Sequence, residues 1–251
     1  MSVEETNLVG DQYVYGIVPA EAELPQGLAG VKDEPVEKLV SGGFAALVTP
    51  VRDPDSVGTP DDLLAHSTVL DRIAAEGPVL PMTFGTIVPD AETITSVVMP
   101  SMQDTYAESM RRVDGATQFT VRARYVRERV IGEMVAENRE IAALRESTAS
   151  QSEDASHYDR IRLGQLVVEE FQRKAAVDSE DIVAALSPLV RETSVRETTQ
   201  ADDVVELALL VDRGSAEGFE QAVEKLAEET LGRISFRLLG PQAPYDFVGE
   251  V

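Results

Sequence analysis

The chain of 251 residues has no cysteine, no tryptophan, two histidines, and only four lysines among its 22 basic residues. Without cysteine there can be no disulfide, thiolate metal site or cysteine nucleophile. With only His66 and His157, a metal would have to rely on carboxylates. The clustered Asp53, Asp55, Asp61 and Asp62 lack an EF-hand's spacing and read as turn and cap residues. No Gly-rich phosphate loop, G-x-S-x-G elbow or H-E-x-x-H motif is present. No apolar run approaches the ~20 residues of a membrane span, and residues 1–5 lack the basic start and apolar run of a signal peptide. The expectation is a soluble, cytoplasmic protein with no catalytic residue, cofactor or metal.

Positive charge is scarce as well. Forty-five acidic residues against 22 basic ones give a net charge of -23. Such like charge strains a compact state at ordinary ionic strength. At about 1 M salt the Debye length falls to roughly 3 Å and most of the repulsion is screened. An acidic, lysine-poor chain therefore fits a salt-rich cytoplasm better than one acidic face for a basic partner, which would show longer acidic blocks. Nucleic-acid binding is disfavoured, because it needs a basic footprint. The 43% apolar fraction supports a real core.

Residues 1–11 read as a frayed start. Tyr13-Val14-Tyr15-Gly16-Ile17-Val18 and Phe44-Ala45-Ala46-Leu47-Val48-Thr49 read as strands ended by Pro19 and Pro50, with a short strand or turn over 36–40. Thr59, Pro60, Asp61 and Asp62 open a helix running to about Glu76, with Leu63, His66, Leu70 and Ile73 on one apolar face. His66 there is better read as a core or interface histidine than as a base. A less regular helical stretch from Pro89 to Val113, broken at Pro100, leads to the turn Asp114-Gly115, the best domain boundary.

Beyond it, Gln118 to Tyr125 alternates as a strand, with Phe119, Val121, Ala123 and Tyr125 on one face. Helices are expected over 127–146, 155–175 and 179–187, with a flexible connection over 147–154. Strands are expected over 189–198 and 204–211, then an amphipathic helix over 218–231 and a last strand over 233–239, stopped by Gly240-Pro241. Without the two middle helices this is βαββαβ, a ferredoxin-like order. The fold class is α+β with two domains: 1–113, and a ferredoxin-like 114–251 with inserted helices and a Pro/Tyr/Phe tail.

Two stretches resist ordinary assignment. Gly77-Pro78-Val79-Leu80-Pro81-Met82-Thr83-Phe84-Gly85-Thr86 is apolar but broken by two prolines, a poor helix and a poor central strand. It carries no catalytic group and reads as a packing or docking element. The tail after Gly240-Pro241 carries Tyr245 and Phe247, where a frayed end would be polar. It is expected to dock, on its own N-terminal domain rather than on a partner. Arg122, Arg124, Arg127 and Arg129 are the one basic concentration, and internal pairing with carboxylates is the stronger reading.

Several of these stretches together resemble the gas vesicle protein F/L family. The resemblance rests on residues 13–18, on Leu64-Ala65-His66-Ser67-Thr68-Val69-Leu70, and above all on Pro78 to Thr86 and Gly240-Pro241-Gln242-Ala243-Pro244-Tyr245-Asp246-Phe247-Val248. The pieces keep the family's order over nearly the whole chain. Met82-Thr83 replaces the family's L-R, so an arginine-mediated contact is not carried over. Gln242-Ala243 replaces its W-P, which removes a tryptophan anchor. The acidic surface would suit a haloarchaeal member. The resemblance implies a non-enzymatic protein of gas vesicle assembly or a minor vesicle component. Its implied partners are the small hydrophobic shell protein and other accessory proteins, and its implied fold is two α+β domains. The apolar groove for the shell protein is expected at Leu80, Pro81, Phe84, Tyr245 and Phe247. The rival reading is a ligand-sensing or enzymatic ferredoxin-like protein acting on a small molecule.

Overall fold

Strand β1 (Gln12–Pro19) is the centre of the first of two sheets. The computed structural model describes residues 10–152 and 156–249. Most of the frayed start expected over 1–11, and the end of the 147–154 connection, lie outside the described residues. β1 pairs antiparallel with β3 (Phe44–Pro50), which in turn pairs with β2 (Glu37–Ser41). On its other side β1 meets two short strands, β4 (Leu80–Pro81) and β5 (Ile87–Val88), both antiparallel. The sheet order is β2-β3-β1-β4, with β5 also on β1. Only two residues of the proline-broken stretch form β4, at the end of this order, where a proline's missing donor is tolerated. Gly16 makes the pairing possible: a Cβ there would lie 2.6 Å from the Leu80 carbonyl oxygen.

Helix α1 (Pro60–Glu76) begins at a capping box in which Thr59 and Asp62 satisfy each other's backbone donors. Lys32 reaches the same Asp62 carboxylate at 2.9 Å. The helix buries His66, Val69, Leu70, Ile73 and Ala74. Val69, Leu70, Ile73 and Ala74 share a core with Tyr13, Tyr15 and Leu47. Leu63, expected on this face, is 51% exposed, and the inner position one residue earlier is taken by Asp62. The break expected at Pro100 falls two residues later, at Met102, where the backbone leaves helical geometry. Short helices α2 (Ala91–Thr93) and α3 (Met99–Ser101) flank a π-helical turn, Ile94–Val98, ahead of α4 (Gln103–Val113).

The second sheet has the order β7-β8-β6-β9, formed by β6 (Ala116–Tyr125), β7 (Glu192–Arg196), β8 (Asp203–Asp212) and β9 (Ile234–Gln242). Its helices are α5 (Arg127–Glu137), α6 (Arg139–Ser150), α7 (His157–Leu186) and α8 (Ala216–Glu229).

Three expectations are corrected here. The helix expected over 127–146 is two, because Asn138 leaves helical geometry and its side chain caps Glu140 and Ile141. The helices expected over 155–175 and 179–187 are one. Asp178 is not a cap, since its carboxylate accepts both Arg233 Nη atoms at 2.8 Å and the Tyr125 hydroxyl. Ser179 bonds back to the Ala176 carbonyl, so the helix runs on. The last strand passes through Gly240 and the cis peptide to Pro241. Gly240, at φ 141°, lies where a Cβ would be 2.5 Å from the Phe119 ring, so only glycine fits.

Contacts divide the chain into two compact units. One comprises residues to Phe119 together with those from Gly240, and the other Thr120–Leu239. The tail thus clusters with the N-terminal elements. Among the described residues no helix is long and apolar enough to cross a membrane.

Candidate functional site

In the first compact unit, the proline-broken segment and the C-terminal tail meet at His66. α1 holds this imidazole on its buried face, 1% exposed. Tyr13 brings its hydroxyl to Nδ1 at 2.8 Å and also accepts the Gly85 N–H at 3.2 Å. The Tyr13 hydroxyl thus links His66 Nδ1 to the Gly85 backbone, and the Met82 backbone bonds the same imidazole. The Tyr15 ring stacks on His66 at 5.8 Å and 23°, Phe84 meets it edge-on at 5.6 Å, and Tyr245 lies at 6.4 Å.

Burial pushes the His66 pKa down to about 4, only partly opposed by the Met82 backbone. Burial likewise pushes Tyr13 up to about 12 against the Gly85 hydrogen bond. Tyr245 is raised by burial and then by the charges of Asp71 and Tyr13. None of these groups is poised to exchange a proton near neutral pH. The cluster packs the proline-broken segment and the tail around His66.

The tail is tied down by backbone and side-chain bonds. The Ala243 N–H donates to Asp71 Oδ1 at 2.9 Å. Gln118 clasps Asp246, donating Nε2–H to its carboxylate at 2.7 Å and accepting its N–H at 3.1 Å. Gln118 is buried, and these bonds satisfy its amide. Asp71 is raised by burial, which its bond from Ala243 only partly offsets.

The five residues singled out from sequence separate into two groups. Leu80, Pro81 and Phe247 are interior. Phe84 is half-buried and Tyr245 is 38% exposed, and both rings lie close to His66. Arg122 and Arg124 both pair with the buried Asp203, at 2.9 and 2.8 Å. Burial would raise Asp203, but the two guanidiniums hold it down at about 2. These arginines are internal partners, as expected.

Sequence reasoning missed a second feature. Met82 and Thr86 line an apolar cavity of about 360 Å³ together with Ile17, Ile94, Met99 and Tyr106. Val97, also in its wall, is 63% exposed. The available signal was the apolar triplet Val97-Val98-Met99, set directly before Pro100, which spoils regular helix. Among the described residues the buried Tyr106 hydroxyl has no hydrogen-bond partner. Among the described residues no group of three or more His, Asp or Glu is placed to hold a metal ion.

The family model described as "Gas vesicle synthesis protein GvpL/GvpF" matches residues 12–249. The chain is 32% identical over 240 residues to gas vesicle protein F of Streptomyces sp. (strain CB03234), covering 94% of this chain and 98% of that one. It is 25% identical over 238 residues to gas vesicle protein F of Dolichospermum flosaquae, covering 94% and 96%. The crystal structure of GvpF from Anabaena sp. PCC7120 matches with a TM-score of 0.78 at 20% identity, over 96% of each chain. That of GvpF from Microcystis aeruginosa matches with a TM-score of 0.77 at 21% identity, over 96% of this chain and 99% of that one. These likenesses show a shared mixed α/β fold.

Proposed function

This chain belongs to the gas vesicle synthesis protein GvpL/GvpF family, and on that premise we propose that it is a non-enzymatic, cytoplasmic assembly factor of gas vesicles. Membership gives it a role in gas vesicle formation. The finer reading is that it binds the small hydrophobic shell protein, and other accessory proteins, while the shell grows. A subunit with an apolar gas-facing surface aggregates unless that surface is covered before polymerisation. A highly charged soluble protein with a local apolar site meets that need.

The observation that carries this reading is the segment from Leu80 to Thr86. In a chain of net charge -23 it presents Phe84 beside His66 on one side and Met82 to an apolar cavity on the other. Phe84 and Tyr245 are the contact residues under this proposal, and Leu80, Pro81 and Phe247 support them from beneath. The strand order β7-β8-β6-β9 supports the ferredoxin-like reading of the second domain, since it is the 2-3-1-4 order of a split βαβ sheet. The double variant Phe84→Ala/Tyr245→Ala, and separately Val97→Asp, should lose capture of the shell protein in a pull-down while keeping the wild-type circular dichroism spectrum. Undiminished capture by both folded variants would end this reading.

A small-molecule sensor finds some support in the same cavity, whose volume is within the range of ligand sites. A metabolite thermal-shift screen in high salt distinguishes it: a sensor shows a saturable rise in melting temperature, and an assembly factor shows none.

A further inference from the structure

A separate groove of about 470 Å³ lies within the second compact unit, among α5, α6 and α7. Its floor is apolar: Ile131 and Val135 of α5, Ile141 of α6, and Leu163, Val167 and Val168 of α7. The apolar surface extends along α7, where Ile161 and Val168 are 49% and 43% exposed. Gly164 also lines it, in the interior of a helix of 30 residues, where glycine costs about 1 kcal/mol relative to alanine. No close approach requires that glycine, because a Cβ there would meet nothing within 4 Å. What a side chain at this position would do is fill the groove.

Among the described residues, the charged side chains that line the groove are Arg127, Arg145 and Arg160, in a chain where acids outnumber bases 45 to 22. Among the described residues Arg127 and Arg145 make no ion pair. Arg127 instead lies over the Phe171 ring at 5.4 Å. Arg145 and Arg160 belong to the end where α6 and α7 turn back on each other, marked by the Ser147–Asp159 bond of 3.0 Å. Along α7 the lining runs from Arg160 to Val168, eight positions or roughly 12 Å at 1.5 Å per residue. Arg127, over Phe171 beyond Val168, and Arg145 with Arg160 at the other end border an apolar trough a little over two helical turns long.

We propose that this groove docks an amphipathic helix of a partner protein, with apolar anchors at i, i+3 or i+4 and i+7 and acidic residues near both ends. Charge complementarity and length together select this occupant. The single carboxylate of a small anionic amphiphile would engage Arg127 or Arg145 but not both. The proposal stands apart from shell-protein binding, so the Phe84→Ala/Tyr245→Ala variant should dock the helix as the wild type does.

The test is fluorescence anisotropy of the full chain with a labelled helical peptide of about 14 residues, leucines on one face and glutamates near each end. A second peptide replaces the glutamates with lysine, and dodecanoate serves as the small-amphiphile arm. Saturable binding of the glutamate peptide is expected, with the lysine peptide about tenfold weaker or worse. Arg145→Glu, at an exposed position, should weaken binding by about fivefold or more, and Gly164→Leu by at least as much. Circular dichroism melts check that each variant folds, and if Gly164→Leu does not, Arg145→Glu and Arg127→Gln decide. Equal binding of the two peptides, binding of neither, binding unaffected by the arginine variants, or dodecanoate binding without peptide binding would overturn the proposal.

Discussion

His66 should make the protein lose stability as pH falls from neutral, in a window above that of the low-pKa carboxylates. Its folded pKa is lowered to about 4 from an ordinary value of 6.5, chiefly by burial. The unfolded state therefore binds the proton more tightly, and stability is fully present above about pH 6.5 and is lost as pH drops toward 4. Integrating between pH 7 and 4.5 gives a loss of about 2 kcal/mol from this one group, a sizeable share of the 5–15 kcal/mol typical of a domain. The carboxylates held low, such as Asp203 at about 2, lose their contribution only below about pH 4 and do not overlap much with this window.

The comparison variant is His66→Phe, which keeps an aromatic ring against Tyr15 and Phe84 but cannot titrate. It leaves the Tyr13 hydroxyl without its acceptor at every pH, a constant cost of about 1–2 kcal/mol that does not alter the slope. Chemical denaturation at fixed high salt, at pH 7, 5.5 and 4.5, should show the variant's disadvantage shrinking by about 2 kcal/mol on acidification. If the two stability curves stay parallel, His66 is not held neutral by its surroundings, and the description of the aromatic cluster as a dry, buried core is wrong.

Asp178→Ala should cost about 2–3 kcal/mol in denaturant unfolding, because it strips the carboxylate from both Arg233 and Tyr125 in a partly buried network. A loss under 0.5 kcal/mol would show that Glu133, 3.1 Å from Arg233, suffices alone. Gly16→Ala should destabilise by about 2 kcal/mol or more and loosen β4, read as faster hydrogen exchange at the Met82 amide that bonds the Tyr15 carbonyl. Unchanged exchange there would mean β1 and β4 separate without consequence. Raising potassium chloride from about 0.1 to 1 M should lift the melting temperature by several degrees, as screening relieves a net charge of -23. A flat or falling trend would remove the salt-adaptation reading.

What the sequence by itself determined is the set of features whose physics is local. The Thr59 cap, Pro60 at the first turn, and the β-former runs ended by Pro19 and Pro50 each depend on groups a few residues apart, so their neighbours in sequence suffice to read them. The four strands of the second half and α8 were legible for the same reason, but the division of α5, α6 and α7 was not. Tertiary structure decided whatever depends on a distant partner. Asp178 looked like a helix start until Arg233, 55 residues away, claimed its carboxylate and let α7 run through. The tail's place rests on Asp71 and Gln118, 172 and 128 residues from the atoms they hold. The candidate site shows the same split. Its aromatic and proline residues stood out as a sequence oddity, but which of them face water did not. Leu80 and Phe247 are interior, while Phe84 and Tyr245 reach the surface, because β1 pairing and the His66 cluster consume one side of each segment. Burial is a property of what packs from elsewhere in the chain, and periodicity in a ten-residue stretch broken by two prolines carries no record of it.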